Sequence, residues 1–131
     1  MKLLVDTSVI VDFLRQDDRS ATWLYSLSQA KHHFLASIIT HTELYAGKSV
    51  WEKQTAQQDL EHIFSGIKLI PLTQSISQKS GYLKAKYQLD LIDSIIAATA
   101  LNQKLPLATL NQKHFSSIPS LKLLTPSSQK N

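Results

Sequence analysis

The stretch LLVDTSVIVDFLR, residues 3–15, decides how this chain is read. Three apolar residues run directly into Asp6, two hydroxyl residues follow, and an apolar pattern at helical spacing comes next. A short strand that is apolar throughout has both faces covered, and its immediate passage into a helix marks a β–α unit. The acid at the junction is the anomaly: it ends a buried strand beside Thr7 and Ser8.

The same alternation continues along the chain. HFLASII (33–39), KLIPL (68–72), LPLATL (105–110) and LKLLT (121–125) read as further strands, and Pro71 puts the third at an edge or an end. Helices are expected between them. One runs from about Asp18 to Lys31, capped by Asp17 or Asp18. One begins in THTELYAGK (40–48), where Thr40 and Glu43 fit a capping box. SVWEKQTAQQDLEHIF (49–64) is a single helix ended by Gly66. SISQKSGYLKAKYQ is a helix interrupted at Gly81. DLIDSIIAATALNQ (90–103) is apolar on nearly every side, hence buried. The expected fold is an α/β/α sandwich around a parallel sheet of four or five strands. Residues 1–126 form one domain and 127–131 a flexible tail.

Composition narrows the function. The 131 residues are 43% apolar and 18% charged, as in ordinary globular domains, and cysteine is absent, which excludes disulfides and thiolate metal sites and fits a reducing cytoplasm. Asp6 and Asp12 break the N-terminal apolar run, so no signal peptide is expected, and the apolar stretch 91–101 is too short to span a bilayer. The net charge is +4, but it is uneven: residues 66–131 carry eight Lys and only Asp90 and Asp93. A basic half is either a solvated lysine surface or the footprint of a polyanion.

In doubly wound folds ligands sit beyond the carboxyl ends of the strands. Asp6 ends the first strand, Glu43 follows the second, and Asp93 lies in the first turn of the buried helix. Each alone reads as a cap, worth about 1 kcal/mol. Burying an uncompensated carboxylate costs several kcal/mol, so an apolar neighbourhood like that of Asp93 is an expensive place for a mere cap. Three acids without a nearby cation in sequence call for a hard divalent ion, Mg²⁺ or Mn²⁺. Asp12 and Asp90 read as caps or salt-bridge partners.

With these residues in hand, the chain resembles a PIN domain of the VapC-like toxins of toxin–antitoxin pairs. The matching pieces are VDTSVIVDFLR (5–15), TELYAG (42–47), DSIIAATAL (93–101) and LATLNQKHFSSIPSLKLL (107–124), in the family's order. The resemblance implies a metal-dependent endoribonuclease with Asp6, Glu43 and Asp93 as catalytic, metal-binding acids. Thr7, Ser8, Thr109 and Asn111 are implied in support. Many relatives carry an acid where Asn111 stands and Arg where Leu110 stands, so the fourth acid is missing here. The resemblance further implies a VapB-type antitoxin as partner, homodimers, and cleavage to 5′-phosphate and 3′-hydroxyl ends. Lys48, Lys84, Lys86, Lys113 and His114 are candidate RNA contacts. Tyr45 and Tyr82 could stack on bases but read as core. His32, His33, His41 and His62 read as structural or exposed. Trp23 and Leu24 are candidates for an antitoxin groove. The alternatives are a catalytically weak RNA-binding adaptor and another metal-dependent phosphoesterase.

Overall fold

The computed structural model describes residues 1–127; the expected tail from 128 onward lies outside the described residues. Five strands form one sheet: β1 (Lys2–Val5), β2 (His33–Ser37), β3 (Ile67–Ile70), β4 (Leu107–Ala108) and β5 (Leu123–Leu124). Their order is β3-β2-β1-β4-β5, and every pairing is parallel. From β1 the chain winds outward to β3, then crosses back to β4 on the other side of β1. The topological switch therefore lies between β1 and β4.

Side-chain alternation sends the apolar strand residues into two cores. Leu4, Leu35, Ile70 and Leu107 face one way and pack with Ile76, Leu83 and Ile96. Leu3, Val5 and Ala36 face the other way and pack with Ile10, Leu27, Leu44 and Leu60. The first core is roofed by α6 (Gln74–Tyr87) and α7 (Leu91–Gln103), the second by α1 (Thr7–Arg15), α2 (Trp23–Gln29), α3 (Ile38–Tyr45), α4 (Lys48–Glu52) and α5 (Gln54–Ser65). A short α8 (Gln112–Phe115) follows β4 and buries Phe115. This is the expected three-layer sandwich. No helix among the described residues is long and apolar enough to cross a membrane.

Several boundaries differ from the sequence reading. The helix expected from Asp18 to Lys31 is a 3-10 turn over Arg19–Ala21 followed by α2; Asp18 caps the turn, and Thr22 accepts from Tyr25 N to start α2. The second strand stops at Ser37, whose hydroxyl accepts from Ile39 N, so Ile38 and Ile39 already belong to α3. The polar segment 49–64 is split at Lys53 into α4 and α5. Gly81 does not interrupt α6, which runs unbroken from 74 to 87. Pro71 follows the end of β3, and β3 is an edge strand.

In α7 every residue from Ser94 to Ala100 is buried. Its two polar members are satisfied locally: Ser94 Oγ donates to Leu91 O at 2.6 Å and Thr99 Oγ1 to Ile95 O at 2.7 Å. Each large aliphatic side chain in such a place stabilises the fold by roughly 1.5–3 kcal/mol. The burial fixes α7 firmly, and with it the position of Asp93 in its first turn.

Candidate active site

Asp6 is only 3% exposed, yet its carboxylate does not cap α1. Ser8 Oγ and Thr109 Oγ1 donate instead to its Oδ2, at 2.7 and 2.8 Å. Thr109, fully buried at the end of β4, also accepts from Asn111 N at 2.9 Å, and Ser8 Oγ accepts from Leu110 N at 3.2 Å. The loop after β4 is thereby laced to the loop after β1 across the switch point. These bonds hold Asp6 at the bottom of a cavity of about 920 Å³.

Glu43 reaches the same cavity from α3. It sits six residues into that helix, not in its first turn, because α3 begins at Ile38. The helix N-terminus therefore does not steady its charge. Thr7 Oγ1 does, donating to Glu43 Oε1 at 2.7 Å and lying 3.0 Å from Thr40 Oγ1. Thr40 is buried in α3 and forms no capping box; Ser37 is the cap.

Asp93 is half-buried in the first turn of α7 and pairs with His114 Nδ1 at 3.2 Å. Burial pushes its carboxyl above the ordinary value of 3.8; the charge of Asp6 adds to this, His114 pulls the other way, and Asp90 and Glu43 push up again. The three acids that the sequence singles out thus converge on one pocket and feel one another's charge.

Asp12 and Asp90 line the cavity too. Among the described residues neither is in a salt bridge, and the Asp90 side chain makes no capping bond at the start of α7. Asp12 accepts from Gln16 Nε2 at 3.1 Å. Five carboxylates therefore face a space in which the opposing groups are Arg15 and, when protonated, His114. Arg15 was legible in principle: Thr7, Val11 and Arg15 recur at i, i+4 and i+8, one face of a helix.

Among the described residues no three His, Cys, Asp or Glu side chains stand close enough to enclose an ion outright. A hard, water-rich cation does not need such a cage, since Mg²⁺ uses one or two carboxylates together with waters and substrate phosphates. An all-oxygen donor set, an excess of negative charge and a raised acid fit that kind of ion.

The remaining sequence candidates are scattered. Asn111 lines the cavity and Lys113 stands next to it on exposed α8. Lys48 pairs with Glu52 at 3.7 Å, and Lys84 Nζ donates to Leu89 O at 3.1 Å. Leu24 is only 7% exposed and belongs to the core under α2, so it does not line a surface groove, while Trp23 is half-buried at the edge of the same core. Tyr45 is half-buried against His41 and Phe64, as expected of core, but Tyr82 is not core: it is 51% exposed.

A family model described as PIN domain matches residues 3–121. The chain belongs to the PIN domain family. Ribonuclease VapC19 of Mycobacterium tuberculosis is 34% identical to this PIN domain over 123 residues, covering 90% of this chain and 95% of the relative. A chain of a toxin–antitoxin complex from Klebsiella pneumoniae superposes with a TM-score of 0.70 at 31% identity, over 91% of this chain and 94% of that one. DNA-bound VapBC from Salmonella typhimurium gives a TM-score of 0.78 over 95% and 98% of the two chains; at 18% identity it speaks for the PIN fold alone.

Proposed function

We propose that this PIN domain is a divalent-metal-dependent endoribonuclease and the toxin of a VapBC-type pair, acting in the cytoplasm and held in check by a VapB-type antitoxin. One observation carries the chemical reading: Asp6, Glu43 and Asp93, remote in sequence, line a single cavity at the switch point of a parallel sheet. The kinship with VapC ribonucleases supplies the substrate class and the partner.

Asp6, Glu43 and Asp93 would hold Mg²⁺ or Mn²⁺. Such an ion, when bound, acidifies a water for attack on phosphorus and offsets charge developing on the phosphoryl oxygens. The chain's own residues do the rest. Ser8 and Thr109 fix Asp6 in one rotamer by satisfying Oδ2, which leaves Oδ1 for the cavity. Thr7 fixes Glu43, and His114 fixes Asp93. Arg15 at the cavity wall offers a guanidinium to a phosphate. Cleavage leaves a 5′-phosphate and a 3′-hydroxyl. Asn111 stands beside these acids as a neutral amide, a water or phosphate partner rather than a fourth charged ligand.

Purified protein, incubated with single-stranded RNA and Mg²⁺ beside an Asp6→Ala variant, tests this reading. The wild type should cut and the variant should lose at least about 100-fold in rate, the scale of removing one electrostatic group from a hydrolytic site. Equal cutting by both would assign the activity to a contaminant. Labelled single-stranded DNA and a chromogenic phosphate ester, run in parallel, distinguish a nuclease for RNA from a general phosphoesterase.

A further inference from the structure

Helix α6 carries a feature that the catalytic cavity does not use. Its sequence QSISQKSGYLKAKY holds three lysines and no acid. Ile76, Ser80 and Leu83 form its buried row. On the adjoining flank, Lys79, Tyr82 and Lys86 recur at i, i+3 and i+7 and therefore share one face. Lys79 Nζ lies 5.2 Å and Lys86 Nζ 5.6 Å from the Tyr82 ring centroid, and Lys86 Nζ donates to the Tyr82 hydroxyl at 3.1 Å. The phenol itself is 51% exposed. Among the described residues no carboxylate comes within ion-pairing distance of Lys79 or Lys86.

Two ammonium groups thus border one exposed ring, Lys86 lying also 5.5 Å from the Tyr87 ring, with no carboxylate among the described residues to neutralise them. The stripe covers about 10 Å of helix axis, at ~1.5 Å per residue. It runs toward the turn that delivers Asp90, Leu91 and Asp93 to the cavity wall, and Lys84 ties that turn to α6 through Leu89 O. Lys86 and Asp90 are four residues apart, so their Cα atoms are no more than about 15 Å apart.

We infer that the Lys79–Tyr82–Lys86 stripe is an entry track for single-stranded RNA, in which the two lysines hold backbone phosphates and the Tyr82 ring stacks on a base beside the cavity. The inference rests on the ribonuclease reading for its ligand. Regularly placed cations with an exposed aromatic between them match the alternation of phosphate and base along an unpaired strand. An acidic protein segment would use the lysines but has no need of the ring.

The test uses Asp6→Asn protein, in which cutting is expected to be abolished, and a labelled single strand long enough to cross the cavity and α6. Its dissociation constant is followed across a salt series. Adding Lys79→Gln and Lys86→Gln should weaken binding roughly tenfold and flatten the log–log salt slope by about 1.4, two contacts at ~0.7 each. Tyr82→Ala should weaken binding roughly fivefold or more, whereas Tyr82→Phe should retain it. Lys2→Gln with Lys68→Gln removes the same charge at the opposite ends of the strands and should leave the slope alone. In the wild-type background the α6 lysine variant should raise KM with kcat held. An unchanged slope in that variant, or an equal drop in the Lys2 and Lys68 control, overturns the track. A track failure with wild-type cleavage intact leaves the nuclease reading standing. The expected slopes in a protein whose wild type never cuts RNA would sink the nuclease reading instead.

Discussion

Asp93 shows how a functional acid is set against the stability of its own fold. Buried and surrounded by like charges, it binds its proton more tightly folded than unfolded. Its contribution therefore favours the fold below the ordinary value of 3.8 and is lost as pH rises through the raised value. At neutral pH in a chelator, Asp93→Asn should raise the melting temperature and remove the loss of stability that accompanies a rise in pH through the raised Asp93 value. Added Mn²⁺ should raise the melting temperature of the wild type through linkage, and this shift should shrink sharply in the variant. Thr109 makes the opposite case, since its hydroxyl serves Asp6 and Asn111 at once while fully buried. Thr109→Val should cost about 1–3 kcal/mol in denaturant melts and roughly tenfold in kcat, and Thr109→Ser should restore most of the activity. The three acids were legible as residues because they fall at comparable places near strand ends and helix starts, and because the apolar surroundings of Asp93 looked too expensive for a mere cap. Their supports were less so: Thr7 and Ser8 read equally well as local backbone partners at a helix start, and only the approach of α3 to Thr7 and the meeting of the loops after β1 and β4 at Ser8 decide.

Elements were legible where apolar patterning was strong and blurred where local chemistry intervenes. The strands and α7 follow directly from their runs of aliphatic residues. The boundaries at Ser37, Thr22 and Lys53 are decided by one side-chain hydroxyl or one change of backbone direction, which periodicity does not register. Gly81 was read as a break, yet the packing of Ile76 and Leu83 on either side keeps α6 continuous. A Cβ at Gly81 would meet nothing within 4 Å. Gly81→Ala should therefore stabilise the protein by about 0.5–1 kcal/mol, visible as a rise of a few degrees in the melting temperature. A fall would mean that the glycine serves some backbone motion of α6.

At the scale of the molecule, the fold follows from strands apolar on both faces, and the site follows from where such a sheet reverses its winding. β1 and β4 are neighbours although more than a hundred residues separate them, as the Thr109 to Asp6 bond shows. Sequence alone gave the carboxylates but not the company of Asp12, Asp90 and Arg15, because their convergence depends on helix rotation about the sheet. It misplaced Leu24 for a related reason, since an apolar helical stripe looks the same whether a partner or the core covers it. The central claim is that Asp6, Glu43 and Asp93 serve one divalent cation. The most direct measurement is an anomalous difference map from crystals of this protein equilibrated with Mn²⁺. The account predicts a peak in the cavity, about 2.1 Å from oxygens of at least two of the three carboxylates, that vanishes in Asp6→Asn crystals. Crystals of protein whose cleavage activity is saturated by Mn²⁺, yet without density there or with the ion bound elsewhere, would contradict it.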